Sequence, residues 1–143
     1  MKVIIFSKEG IHKLLAHFIA YGYTDFIVYT DVDKGYYEMN GINVTKIVGF
    51  ELEDSGDRLM KIKGSLSDSF FVIYSSEITA IDIDSVANYH IRKQGIATLI
   101  EINKKLIGAL TEPEIFDYIE NTRSLEREAF LRVGQDGELA IYN

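Results

Sequence analysis

The sequence contains no cysteine, so it can form neither a disulfide framework nor a metal site made of thiolates. It has one proline, Pro113, and no long polar tract, which argues against a disordered chain. The apolar run in its first ten residues, MKVIIFSKEG, is too short for the core of a signal peptide and far too short to span a bilayer. We therefore expect a cytoplasmic protein.

Basic residues are in the minority, with 15 lysines and arginines against 22 aspartates and glutamates, and the formal net charge is −7. A surface of this sign repels phosphate backbones and anionic lipids. We therefore expect neither nucleic acid nor a membrane surface as a partner.

Apolar residues make up 47% of the 143 residues and are spread along the whole length, which predicts one domain over residues 1–143. Short apolar runs typical of strands alternate with apolar residues at helical spacing, so the predicted class is α/β with a mostly parallel sheet covered by helices. Strands are predicted at 2–6, 26–29, 42–50, 70–74, 97–102, 106–110 and 138–142, and helices at about 11–21, 31–39, 84–94 and 115–119, with a last one capped by Ser124.

Four turn signals set the predicted element ends. Gly22 is placed to stop the first helix, and Asp84 is placed to cap a later one. Asn103-Lys104 separates two strands, and Thr111 to Glu114 has the T-x-x-E pattern of a capping box.

Six groups of segments, in the same order along the chain, resemble the sugar nucleotidyltransferases, and the glucose-1-phosphate cytidylyltransferases most closely. Glu112–Ile119 is similar to that branch's L-E-P-E-I-F-D-Y-I, and His90, Gly95 and Ala97–Leu99 are similar to its histidine, glycine and A-T-L motif. The other similar segments are Tyr21–Ile27, Val44–Thr45 with Asp54–Leu59, Phe71–Ile83, and Leu125–Glu128 with Asp136–Leu139. The resemblance implies a Rossmann-like three-layer α/β sandwich, here as a reduced nucleotidyltransferase fold.

The family joins a sugar 1-phosphate to a nucleoside triphosphate and releases pyrophosphate with the help of Mg²⁺. That reaction needs backbone N–H groups around the triphosphate, cations near the α-phosphorus and carboxylates for the metal. The family's N–H groups come from a G-G-x-G-T-R loop after its first strand. The glycines of this chain are isolated, as at Gly10, Gly22 and Gly35, and we expect the chain to begin after that point.

Three further differences from the family fall on catalytic parts. Ser76 stands where the metal aspartate of the Y-G-D-G turn would be, and a neutral hydroxyl is a poor Mg²⁺ ligand; Glu77 follows one position later. The E-K-P lysine and the N-G-G strand are replaced by a direct passage from Ile102 to Leu106, and the chain ends at Asn143, before the second metal aspartate. We therefore expect the fold without the activity and without a cofactor, Mg²⁺ being required only if activity remains.

By the same resemblance, the candidate ligand-binding residues are Ser55, Gly56 and Arg58, in the segment similar to T-G-G-R, together with Ser76 and Glu77. A polar turn with a helix cap at Asp57 explains the first three equally well. Asp82 and Asp84 are weak candidates for binding a divalent cation, and capping is the favoured role of Asp84. His90 is interpreted as a structural, hydrogen-bonded histidine.

These observations predict a catalytically inactive nucleotidyltransferase-like protein, a binding or regulatory module linked to nucleotide-sugar or polysaccharide biosynthesis. The expected ligand is a nucleotide sugar or sugar phosphate. Removal of part of the parent fold would uncover apolar surface, and Tyr36 and Tyr37 suit an interface, so a homo-oligomer or a protein partner is also expected. Two alternatives stay open: an active nucleotidyltransferase, possibly one completed by a partner subunit, and a small glycosyltransferase using Asp31 and Asp33 as a D-x-D motif.

Overall fold

The computed structural model describes residues 1–7, 9–30, 41–48, 59–119 and 129–143. The described strands are β1 (Lys2–Ile5), β2 (Asp25–Thr30), β3 (Asn43–Val48), β4 (Phe70–Ile73), β5 (Ala97–Ile102), β6 (Lys105–Thr111) and β7 (Leu139–Tyr142). The described α-helices are α1 (Ile11–Ala20), α2 (Ile83–Lys93), α3 (Phe116–Ile119) and α4 (Phe130–Gln135). Short 3₁₀ helices cover Lys63–Ser65, Ser76–Ala80 and Pro113–Ile115.

The strands form one sheet in the order β3-β2-β1-β4-β6-β5-β7. All neighbouring pairs are parallel except those of β6, which runs antiparallel to β4 and to β5. The predicted α/β class with a mostly parallel sheet is therefore confirmed. We call the edge where the parallel strands end the carboxyl edge and the opposite one the amino edge; because β6 is reversed, Lys105 lies at the carboxyl edge and Thr111 at the amino edge.

Both faces of the sheet are covered, which gives the three layers of the expected sandwich. Strand β4 shows this best, because all four of its residues are buried: Phe70 and Val72 join the core on one face, and Phe71 and Ile73 join the core on the other. The first core includes residues of α3 and α4, and the second includes residues of α1 and α2. Burial on both faces explains why the buried parts of β1, β2 and β4 are continuous apolar runs rather than alternating ones. None of the described helices is both long and apolar enough to cross a membrane.

Two predicted turn signals are confirmed. Gly22, just beyond α1, has φ +92°, a conformation that suits glycine. Asn103 and Lys104 join β5 to β6 with φ values of 51° and 66°, as the two central residues of a tight hairpin turn require.

Two predicted caps are wrong. Asp82, not Asp84, caps α2, and its Oδ1 accepts a hydrogen bond of 3.2 Å from the backbone N–H of Ser85. Thr111 is not part of a capping box, because it is the buried last residue of β6 and its hydroxyl donates to the carbonyl of Ile96 at 3.3 Å. The predicted helix at 31–39 and the cap at Ser124 lie outside the described residues.

Candidate functional site

The order of the strands creates one crevice at the carboxyl edge. From β1 the chain builds β2 and β3 on one side, and β4 then pairs on the other side of β1. The connections that follow β1 and β4 therefore diverge at this point, which we call the switch point. Open α/β sheets bind their ligands in such a crevice.

A strand–loop–helix unit leads into the switch point from β1. The N–H of Phe6 still donates to the carbonyl of Ile73 at 2.9 Å, and Gly10 then begins α1 with φ +67°. The expectation that the chain begins after such a unit is corrected here, since β1, the loop and α1 provide one. The loop between β1 and α1 is not rich in glycine, as expected, because Gly10 is its single glycine.

The second half of the switch point is the turn after β4. The Oγ of Ser75 accepts a hydrogen bond of 3.2 Å from the N–H of Glu77 and so caps the 3₁₀ helix Ser76–Ala80. A Cβ atom placed on Gly10 would lie 3.0 Å from the Cβ of Ser76. The start of α1 therefore packs tightly on Ser76, and both this close approach and the positive φ favour glycine at position 10.

The carboxylate of Glu77 forms an ion pair with a lysine of the β5–β6 hairpin. Its Oε2 is 3.1 Å from the Nζ of Lys105, and the hydroxyl of Ser75 donates to the same oxygen at 3.2 Å. The hydrogen bond from Lys105, the charge of Lys105 and the hydrogen bond from Ser75 together lower the pKa of Glu77. The structure thus brings Ser76 and Glu77 to the switch point, as neighbours of Lys105.

The described residues do not fit a Mg²⁺ site. Among them, no three histidine or carboxylate side chains are placed to hold a metal ion. Asp82 caps α2, while Asp84 lines a small cavity with Met1, Tyr23 and Asp25 near the amino ends of β1 and β2. The weak metal candidates therefore do not converge with Glu77. Ser55, Gly56 and Arg58, like Asp31 and Asp33, lie outside the described residues.

A larger cavity lies at the amino edge, where sequence reasoning predicted no site. Its volume is about 660 Å³, and it is lined by Ser69, His90, Gln94, Glu112, Glu114 and Glu138 among others. These residues come from separate parts of the chain, so no local motif could have revealed the cavity. The similarity of the segment 112–119 to a family motif drew attention to the sequence there but not to a cavity.

His90 supports the wall of this cavity, and its predicted structural role is confirmed. Its side chain is 8% exposed, its Nδ1 is 2.7 Å from the Oγ1 of Thr98, and its Nε2 is 2.9 Å from the Oε2 of Glu112. The hydroxyl of Ser69 donates to the same carboxylate oxygen. Ser69, Glu112, His90 and Thr98 thus form one hydrogen-bonded chain from the β4 entry to β5.

Tyr118 and Asp136 form a second polar contact beside this cavity, through a hydrogen bond from the phenol to the carboxylate. That hydrogen bond, with smaller contributions from burial and from the charges of Asp136, Glu138 and Asp117, raises the pKa of Tyr118 to about 12. Three carboxylates, those of Asp117, Asp136 and Glu138, therefore lie close enough to Tyr118 to disfavour its anionic form.

Comparison with known proteins gave matches among solved structures only. No family model matches the chain, and no curated protein sequence matches it significantly. A predicted nucleotide-diphospho-sugar transferase from Desulfovibrio desulfuricans G20 superimposes with a TM-score of 0.61 and 10% identity, over 99% of this chain and 78% of that one. Rv0371c from Mycobacterium tuberculosis H37Rv, solved in complex with manganese, superimposes with a TM-score of 0.62 and 5% identity, over 99% of this chain and 86% of that one.

Identities this low carry information about the fold alone. The agreement spans almost the whole of this chain and most of both neighbours. The family resemblance is thereby supported at the level of the fold: the chain has a mixed, mostly parallel α/β fold similar to that of nucleotide-diphospho-sugar transferases.

Proposed function

We propose that this protein is a catalytically inactive, nucleotidyltransferase-like binding module that takes a nucleotide sugar at the switch point. One observation carries the proposal. In the turn after β4, where the resemblance places a metal aspartate, Ser76 packs against Gly10 and the neighbouring carboxylate of Glu77 is paired with Lys105.

This arrangement favours binding over metal-dependent chemistry. A carboxylate that is paired with a lysine must give up that partner before it can ligate Mg²⁺, and Mg²⁺ prefers several oxygen ligands in a strict octahedral arrangement. The described part of the turn offers one such carboxylate. A transferase that lacks metal ligands would lose the main source of charge stabilisation in phosphoryl transfer.

Lys105 supplies the positive charge that a bound diphosphate needs. Its side chain is 64% exposed and that of Glu77 is 49% exposed. An ion pair this exposed to water contributes little to stability, so Lys105 can exchange its partner at low cost. Lys104 is the preceding residue of the hairpin and brings a second cation to the same edge.

A thermal-shift screen tests this proposal, because a ligand that binds only the folded state raises the unfolding midpoint by mass action. The purified protein is heated with nucleoside triphosphates, sugar phosphates and nucleotide sugars, each with and without Mg²⁺. We expect a rise with a nucleotide sugar that does not depend on Mg²⁺, and no release of pyrophosphate from any triphosphate and sugar phosphate. A Mg²⁺-dependent rise with a triphosphate, together with pyrophosphate release, would show an active enzyme instead.

A pair of lysine variants locates the binding. Lys105→Met should reduce the thermal shift at a given ligand concentration, because it removes the cation at the switch point. Lys93→Met makes the same change at the last residue of α2, just before β5 begins at the amino edge. It should leave the thermal shift unchanged. Equal effects of the two substitutions would place the ligand elsewhere.

A D-x-D glycosyltransferase is the second candidate, and the position of β2 favours it. Strand β2 pairs with β1 and ends at Thr30 on the carboxyl edge, and Asp31 and Asp33 follow directly in the sequence. When the screen is extended to nucleoside diphosphates and to Mn²⁺, this function would appear as Mn²⁺-dependent binding of a nucleoside diphosphate that is lost in Asp33→Ala. In either case the proposed setting is nucleotide-sugar or polysaccharide biosynthesis, with a second copy or another protein as the partner of the module.

A further inference from the structure

We propose that the cavity at the amino edge is a second binding site, separate from the switch point, for a small molecule that carries a protonated amine. This site goes beyond the proposed function, because it lies at the opposite ends of the strands. Strand β4 is entered at Ser69 beside the cavity and left at Tyr74 beside the switch point.

The cavity has the dimensions of a small-molecule site. Its volume of about 660 Å³ falls within the roughly 300–1,000 Å³ of known ligand pockets. Apolar contact is available from Ile96, which packs against the core, and from Ile91, a residue that is 68% exposed. A bound molecule would cover Ile91, which is otherwise an exposed apolar side chain beside polar groups.

The wall of the cavity is already organised before any ligand binds. His90 is almost fully buried and holds Glu112 in place, and Ser69 fixes the same carboxylate from the other side. Side chains locked in this way do not lose further freedom when a ligand arrives, which is the basis of preorganised binding. Glu112 is therefore held in a fixed position at the wall of the cavity.

Two carboxylates beside this hydrogen-bonded wall remain available to bind a ligand. Glu114 and Asp117 line the cavity and form no hydrogen bond or ion pair with the side chains that the structure describes. Glu138 also lines the cavity, directly before β7. These three exposed carboxylates line one cavity, and no lysine or arginine of the described ranges lines it.

The acidic side chains among the described residues that line the cavity are joined by no lysine or arginine. The two cations in the last turn of α2, Arg92 and Lys93, lie over the ring of Tyr89 at 5.9 and 5.3 Å and do not line the cavity. The carboxyl end of α2 carries the negative pole of the helix and reaches the cavity at Gln94.

These features select the class of ligand. Anionic molecules, including the phosphates expected at the switch point, would meet uncompensated carboxylates and are disfavoured. A protonated amine offers several donors to such acceptors, and hydrogen bonds between charged groups are the stronger ones. An amino sugar and a polyamine share this chemistry, and the experiment separates them.

Nuclear magnetic resonance provides the test, since a chain of 16.3 kDa gives resolved amide spectra. The ¹⁵N-labelled protein is titrated with glucosamine, with spermidine and, as the matched neutral probe, with glucose, at constant ionic strength. We expect saturable shifts at the amides of Gln94, Gly95, Glu114 and Asp117 with an amine and none with glucose. Binding of glucosamine or of spermidine then identifies the source of the amine.

Two double variants with the same change of charge complete the design. Glu114→Gln with Asp117→Asn should weaken amine binding roughly tenfold or more, because it removes two charged acceptors. Glu9→Gln with Glu101→Gln changes two carboxylates near the carboxyl edge and should leave the affinity unchanged. Equal weakening by both pairs, equal shifts with glucose, or the absence of saturable shifts with both amines would each overturn the proposal.

The comparison of the amines with glucose uses the unaltered protein, so this test of the proposal remains valid even if a variant folds poorly. The two sites can also fail separately. Loss of the nucleotide-sugar response would leave the amine shifts at the amino edge intact, and the reverse also holds.

Discussion

At the residue scale, His90 is a buried polar side chain with two side-chain partners. It joins α2 to β5 through Thr98 and to the turn after β6 through Glu112. His90→Ala should lower the free energy of unfolding by about 2–4 kcal/mol, because it leaves a cavity and deprives the fully buried hydroxyl of Thr98 of its partner. Urea denaturation followed by circular dichroism measures this loss.

Two further variants define the cause. Thr98→Val removes the buried hydroxyl and should cost about 1 kcal/mol. Combined with His90→Ala, it should cost less than the sum of the two, because both changes break the same contact. Lys13→Ala, at an exposed position of α1, should stay within about 0.5 kcal/mol of the parent. Strict additivity of the first two variants would contradict a shared hydrogen bond.

Residue-scale prediction from the sequence succeeded where one residue type has one favoured role. A lone histidine on the inner face of a helix is usually a satisfied core residue, and His90 is one. Prediction failed where two residues compete for one role. Asp82 and Asp84 both precede the apolar face of α2, and the pattern alone does not decide which is the cap.

At the element scale, the turn of the β5–β6 hairpin holds one residue in an unfavourable backbone conformation, which a substitution can relieve. Lys104 has φ 66°, a left-handed conformation that is unfavourable for a side chain with a Cβ, whereas asparagine at position 103 tolerates it. Lys104→Gly produces the preferred Asn-Gly turn and should stabilise the protein by about 0.5–1 kcal/mol. Chemical denaturation of the variant beside the parent measures the gain.

The same substitution in a helix gives the control for this hairpin. Lys13→Gly, within α1, should destabilise the protein by about 1 kcal/mol, because glycine is a poor helix former. Opposite signs at the two sites would show that backbone conformation, not loss of a lysine charge, determines the result. A loss of stability in Lys104→Gly would refute the turn geometry.

Within the described residues, the predicted elements agree well with the structure because their signals are local. Apolar runs marked the strands, and Asn103-Lys104 marked the hairpin. The order of the strands and the reversal of β6 could not be derived in this way, since they depend on pairing between distant segments. The amino-edge cavity was missed for the same reason: Ser69, His90 and Glu138 meet only after β4, α2 and β7 are in place.

At the scale of the whole molecule, the two cores share one sheet. Strand β4 contributes alternate residues to both, so neither face can unfold and leave the other intact. The prediction of one domain over residues 1–143 therefore has a direct consequence for thermal unfolding. Differential scanning calorimetry should show one transition, with a calorimetric enthalpy equal to the van't Hoff enthalpy.

The heat capacity makes this calorimetric prediction quantitative. Cooperative unfolding of all 143 residues should increase the heat capacity by about 2 kcal/mol/K, because the increment scales with the number of residues whose surface becomes exposed. This test needs no variant as a control, because one scan gives both the calorimetric and the van't Hoff enthalpy. Two resolved transitions, or an increment of about half this size, would show that the sheet does not unite the chain into one cooperative unit.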